Sequence, residues 1–165
     1  MASESTTAHA LQQGERPLLV TIVGPTAVGK TTWAIAIATA LGCEIINADS
    51  RQIFRGMPIG TAQPTPTERA AVKHHFVDFV DVEDHFSAGQ FEMAAIHWLS
   101  DWFQTQRTAV MVGGSGLYIK AVLEGLDDMP ADLNIRKELN ERFQHSGIQS
   151  LAVQLETLDP VHACK

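Results

Sequence analysis

Six residues, LLVTIV at 18–23, carry no charged position, and residues 32–41 are apolar on nearly every face. The first run lacks the alternation of a half-buried strand and predicts a strand covered on both faces. The second predicts a helix that stops at Gly42. EIINA, at 44–48, predicts a short second strand running into Asp49. Residues 49–64, DSRQIFRGMPIGTAQP, are broken by Gly and Pro and predict mostly loop. The TPTE at 65–68 puts Thr three places before Glu, with Pro at the first helical position, which predicts a capped helix start. Residues 76–82 predict a third strand, and SAGQ at 87–90 predicts a second capped start. Phe91, Ala94, Ala95, Trp98, Leu99, Trp102 and Phe103 follow at helical spacing, a stripe that suits core packing rather than base stacking. AVMV at 109–112 predicts another strand; it runs into GGSG, with a helix from about Gly116. The chain then predicts helix from after Pro130 to its end. Strand and helix alternate, so the class is α/β with a mostly parallel sheet.

A chain of 165 residues suits one core, drawn here over 18–165, preceded by a disordered polar tail at 1–17. Hydrophobic residues make up 45% and charged residues 19%, as in ordinary globular proteins. No apolar run has the length of a bilayer span, and the first residues lack the basic and apolar regions of a secretory signal. Cys43 and Cys164 form no C-x-x-C pair, so a reducing cytoplasm is the expected setting. The net charge of −7 argues against broad nucleic-acid binding by this chain alone, though not against a locally basic site.

Candidate chemistry begins at GPTAVGKT, residues 24–31, which fits G-x-x-x-x-G-K-[ST] between an apolar strand and a helix. Gly24 and Gly29 permit a tight backbone whose amides point at phosphate oxygens. Lys30 supplies a charge and Thr31 a hydroxyl for a magnesium ion. A nucleoside-triphosphatase also needs an acid at the end of a second apolar strand. AVMV ends instead in Gly113, Gly114, Ser115 and Gly116, which suit close backbone approach and a hydroxyl donor. Asp49, at the carboxyl end of EIINA, suits either the ligand crevice or a turn. His74 and His75 are adjacent and would point to opposite faces of a strand, which argues against one shared metal ion. Arg51, Arg55, Lys73 and Lys120 could equally be solvated charges.

IINADSRQIFRGMPIGTAQP, taken with GPTAVGKT, HHFVDFVDVEDHFSAGQF and VGGSGLYIKAVLEGLD, resembles the tRNA dimethylallyltransferase family, also called tRNA isopentenyltransferases. The similarity runs from about Leu18 to the end. It implies a P-loop NTPase-like three-layer fold turned to prenyl transfer. The implied donor is dimethylallyl diphosphate, and the acceptor is the N6 amine of the adenosine 3′ of the anticodon in tRNA. By the same resemblance Gly24, Pro25, Thr26, Ala27, Val28, Gly29, Lys30 and Thr31 hold the diphosphate, a loop type often labelled ATP-binding, and Thr31 serves Mg2+. Asp49 is the implied general base. Asp49, Ser50, Arg51 and Gln52 form the segment that contacts the anticodon stem-loop. Ser115 keeps the hydroxyl of the family's usual Thr, with a catalytic and tRNA-contacting role, and Arg136 contacts the tRNA near the channel. A monomer without membrane attachment is expected.

One departure stands out. Family members continue past the segment at Asp159, Pro160 and Ala163 into a basic stretch with a further active-site arginine, whereas this chain stops at Lys165. The expectation is therefore a truncated core lacking the C-terminal half of the family fold. Two other readings of the residues stay open: a P-loop small-molecule or nucleotide kinase, and a diphosphate-binding fragment without turnover.

Overall fold

The computed structural model describes residues 16–126 and 132–164. The expected tail lies outside the described residues except for its last two positions. The chain divides into two compact units, Met1–Leu126 and Asp127–Lys165, a boundary that falls inside the span drawn as one core.

The first unit runs β1 (Leu18–Val23), α1 (Lys30–Leu41), β2 (Ile45–Asn47), α2 (Pro66–Ala71), β3 (His74–His75), α3 (Ala88–Trp102), β4 (Thr108–Gly113) and α4 (Gly116–Glu124). The sheet order is β1-β4-β2-β3, and every pair is parallel. Because β4 sits between β1 and β2, with Val23 opposite Gly113 and Asn47 opposite Val112, three carboxyl ends finish side by side. Successive strand residues face opposite sides. Ile45, Val110 and Val112 pack with Ala34 and Ala38 of α1. Ile46, Ala109 and Met111 pack with Phe91, Ala95 and Leu99 of α3 and with Tyr118, Ile119 and Val122 of α4. This is the expected α/β layering, and the aromatic stripe of α3 belongs to the core. Both capping boxes form, at Thr65 with Glu68 and at Ser87 with Gln90.

Two elements differ from expectation. Helix α1 starts at Lys30, two residues early, because Gly29 (φ 83°) is its N-cap. The strand expected over 76–82 is not extended: Phe76 (φ 58°) and Asp78 (φ 57°) turn the backbone left-handed. Asp78 is held by the preceding loop, its Oδ1 accepting from Gly56 N at 3.1 Å and its own N donating to Gln52 O at 3.2 Å. Phe76 packs edge-on against Phe79 and Phe91. What pairs with β2 is His74–His75, and Val80 keeps a single bridge to Phe54.

The two histidines have separate partners. His74 Nδ1 donates to Val72 O at 2.8 Å, and its buried Nε2 has no partner. His75 Nε2 donates to Glu44 Oε2 at 2.5 Å, and its ring lies 4.4 Å from that of Trp98. Burial holds both imidazoles below their ordinary range, so at neutral pH the contact with Glu44 is a hydrogen bond from a neutral ring. Among the described residues no group of three or more His, Cys, Asp or Glu is arranged to hold a metal ion.

The second unit is helical, as expected: α5 (Leu133–Leu158) and α6 (Pro160–Ala163). Asp132 caps α5 by accepting from Asn134 N at 2.7 Å. The helix breaks at Gly147 (φ 67°, ψ −177°), and Arg142 donates to Gln154 Oε1 across the break at 2.7 Å. No described residue of α5 or α6 is buried. No helix among the described residues is long and apolar enough to cross a membrane.

Candidate functional site

The loop between β1 and α1 is set by its backbone. Ala27 (φ 68°) and Gly29 (φ 83°) are left-handed, which turns the chain tightly into α1. The helix start has no side-chain cap and no acid in its first turn, so its leading amides are available to an anion. Lys30 Nζ folds back and donates to Pro25 O at 2.6 Å. Gly24 is not required by space: an added Cβ would stand 3.4 Å from Val28 Cγ2, an ordinary contact.

The ends of β2 and β4 meet in a close backbone approach. A Cβ on Gly113 would lie 2.1 Å from Ala48 O, so only glycine fits. Ala48 N donates to Val112 O at 2.7 Å, and Ser115 N donates to Ala48 O at 3.3 Å. The next residue marks the meeting point of the site. A Cβ on Gly114 would stand 3.4 Å from Gly24 O, 3.7 Å from Asp49 Oδ2 and 3.9 Å from Lys30 Nζ. Asp49 Oδ1 accepts from Arg51 N at 3.0 Å, which leaves Oδ2 directed to that point. The turn role and the crevice role considered for Asp49 therefore coexist. Ser115 Oγ accepts from Ser50 N at 2.8 Å and donates to Ser50 Oγ at 2.9 Å, joining the two strand ends. The Asp49 carboxylate and burial together raise the Tyr118 phenol above its usual range, burial being the larger cause.

A cavity of about 290 Å³ opens there, lined by Thr26, Ala27, Gly29, Lys30 and Thr31 on one wall and by Asn47, Asp49, Gln52, Ala62 and Pro64 on the other, with Val112 and Gly113 between. The second wall is fixed by amides. Gln52 Nε2 donates to Thr61 O and Ala62 O at 3.1 and 3.0 Å. The buried Gln63 donates to Gln52 O and Phe54 O at 2.7 and 2.8 Å and accepts from Arg69 at 3.1 Å.

The structure thus brings Thr26, Ala27, Gly29, Lys30, Thr31, Asp49 and Gln52 to one cavity. Pro25 contributes a carbonyl to Lys30, Val28 is 56% exposed, and Ser50 and Ser115 bond to each other beside Asp49. Arg51 lines a neighbouring cleft. Arg136 belongs to the second unit, where it lines a groove with Lys137, Asn140 and Gln144. Sequence reasoning missed Asn47, Ala62, Pro64 and the clamp at Gln63. The available signal was a Gly- and Pro-bounded loop rich in amides, which says that a loop is built but not which carbonyl each amide takes.

The model of the IPP transferase family matches residues 52–165. The chain belongs to that family. It is 50% identical over 143 residues to the tRNA dimethylallyltransferase of Christiangramia forsetii, covering 86% of this chain and 47% of that one. It is 42% identical over 156 residues to the Methylococcus capsulatus tRNA dimethylallyltransferase, covering 94% and 50%. Among solved structures, the full-length tRNA isopentenylpyrophosphate transferase of Bacillus halodurans superimposes with a TM-score of 0.65 at 39% identity, covering 90% of this chain and 50% of that one. A eukaryotic dimethylallyltransferase acting on tRNA gives 0.72 at 25% identity, covering 90% and 37%. The chain spans about half the length of the curated relatives it matches, and its P-loop NTPase-like α/β fold is that of the solved family members.

Proposed function

We propose that this chain carries the donor site and general base of an enzyme that moves a dimethylallyl group from dimethylallyl diphosphate to the N6 amine of the adenosine 3′ of the anticodon in a tRNA stem-loop. The observation that carries this reading is the placement of Asp49 Oδ2 and Lys30 Nζ within 4 Å of the same point beside Gly114, with both residues lining a cavity next to an uncapped helix start. The activities for which the relatives are named agree with it.

In this reading residues 24–31 receive the diphosphate. Lys30 exchanges the Pro25 carbonyl for a phosphate oxygen, a charge-assisted and therefore stronger bond. Asp49 accepts the proton of the attacking amine as the N6–C1 bond forms and the C1–O bond breaks, and the electron pair leaves with the diphosphate. Loop amides fixed before reaction stabilise that leaving charge. Magnesium needs hard oxygen donors and commonly takes few from the protein beside substrate phosphates and water. The Thr31 hydroxyl in the cavity fits that pattern, and when bound the ion would add charge stabilisation to the leaving group. Ser50 and Ser115 hold Asp49 in register with the loop. Asp49 to Gln52 and, on the second unit, Arg136 contact the RNA. The acceptor base leaves its stack to reach the cavity.

Incubation with dimethylallyl diphosphate and an unmodified anticodon stem-loop, read by mass spectrometry, tests the proposal. One dimethylallyl group on the adenosine 3′ of the anticodon is the expected product. Phosphoryl transfer from ATP to an acceptor, with no prenylated RNA, would replace this reading with a kinase.

A further inference from the structure

The cavity wall opposite the phosphate loop converges on one side chain that stands behind it rather than in it. Arg69, on α2, donates from Nε to Pro64 O at 3.2 Å and from Nη2 to Gln63 Oε1 at 3.1 Å. Its Nη1 stands 3.7 Å from Asp78 Oδ2. Pro64 is itself a lining residue. Gln52 is another, and its carbonyl accepts from Gln63 Nε2 at 2.7 Å and from Asp78 N at 3.2 Å. Both donors to Gln52 O therefore belong to residues whose side chains Arg69 engages.

The helix does not need this guanidinium. α2 has a complete capping box at Thr65 and Glu68, and Arg69 N donates to Thr65 O at 2.9 Å. The Arg69 side chain is 33% exposed, so its pairing with Asp78 is screened and adds little to global stability. Its fork orients its partners instead. An amide set between two carbonyls and a guanidinium has one favourable orientation, oxygen toward the charge and N–H toward the carbonyls. The charge also polarises that amide and strengthens its donation to Gln52 O and Phe54 O.

We propose that Arg69 is a positioning residue for the transfer reaction, fixing the width of the cavity by locking Gln52 and Pro64 opposite the phosphate loop. The inference rests on the transfer reading above. Asp49 and Gln52 share that wall, so play in Gln52 and Pro64 alters how the reacting groups meet and not how the diphosphate is held. Misplacing reacting groups by about 1 Å, from a change far from the chemistry, can cost about 10²-fold in rate. Lysine is no substitute. An ammonium keeps the charge but cannot span Pro64, Gln63 and Asp78 at a fixed geometry.

The full chain, Arg69→Lys and Arg69→Ala are compared in single-turnover transfer at saturating dimethylallyl diphosphate and anticodon stem-loop. Each variant is expected to transfer roughly 10- to 100-fold more slowly. Calorimetric affinity for the diphosphate should match the parent, and the melting temperature should change little. Millimolar guanidinium chloride should restore much of the rate to Arg69→Ala, a response that a loss of folded protein would not give. Arg69→Lys combined with Gln63→Leu should be no slower than Gln63→Leu alone, because the two side chains act in series. Parental turnover by Arg69→Lys, or a slowing matched by an equal loss of diphosphate affinity, overturns the inference and leaves the transfer reading standing. A parent chain that binds the diphosphate and transfers nothing overturns both.

Discussion

Residues 24–29 and residues 49–64 wall one cavity and are held in different ways. The first segment is shaped mainly by its backbone, with left-handed Ala27 and Gly29 leading into a helix start that carries no cap and one side-chain bond, from Lys30 to Pro25 O. The second is tied down by side chains: Gln52, Thr61, Gln63 and Arg69 all bond to backbone carbonyls of the same stretch. Donors without internal partners are available to a ligand, and a wall whose amides are already used can only hold its shape. In the proposed function, binding energy for the diphosphate would therefore reside on the first wall. Placement of Asp49 resides on the second.

The comparison breaks most visibly at Asp49, which belongs to the fixed wall but is the proposed general base. Asp49→Asn keeps an oxygen to accept from Arg51 N and cannot take a proton. Single-turnover transfer to a stem-loop should slow by about 10²- to 10⁴-fold while diphosphate affinity and melting temperature hold. Normal turnover would leave Asp49 as a turn former. Gln63→Leu strikes the fixed wall itself, leaving the Phe54 carbonyl without its Gln63 donor and the Gln52 carbonyl with Asp78 N alone. Unsatisfied buried acceptors cost about 1–3 kcal/mol each, so thermal melts should show a drop on the order of 5–15 °C, with diphosphate still bound at low temperature. A melt unchanged by this substitution would mean the wall is held otherwise.

Lys30→Ala probes the open wall. Removing one charge-assisted donor should weaken dimethylallyl diphosphate by roughly 10- to 100-fold in calorimetric titration, with little change in melting temperature because the bond lost among the described residues is the one to Pro25 O. Equal affinity would remove the loop from the donor site. The smallest effect falls on neither wall. Burial keeps His74 and His75 neutral in the folded chain, whereas unfolded imidazoles take a proton near pH 6.5. The unfolded state then binds more protons, so stability is full above about pH 6.5 and declines as pH falls toward the lowered folded values. Denaturant melts at stepped pH should show that decline. A midpoint that rises on acidification would contradict it.

Much of this arrangement was legible in the chain, and the reasons are local. The capping boxes at Thr65 and Ser87, the apolar run of β1 and the stop at Gly42 each follow from residues a few places apart. The loop motif named residues that line one cavity, because its glycine and lysine stand at a fixed spacing before a helix. The failures are long-range. Residues 76–82 carry Phe and Val in strand-like density, but Asp78 answers to Gly56, Gln52 and Arg69, none of them near in sequence. The same holds for Gln63, whose carbonyl partners are chosen by how the loop closes. Nor did sequence reasoning show that the Ser115 hydroxyl is spent on Ser50.

Gly113 sets a tolerance for the site. With the Ala48 peptide where its Cβ would be, the ends of β4 and β2 ride on one another with no side chain between them. The offset between the two neighbouring strand ends is then a sheet spacing of about 4.8 Å, a constant of hydrogen-bond geometry rather than of rotamer choice. Such a site behaves like a fixed-gap gauge. Reactants whose combined length differs by a bond cannot be met by a side-chain adjustment at this joint, so any shift in substrate size has to be absorbed by the surrounding loops.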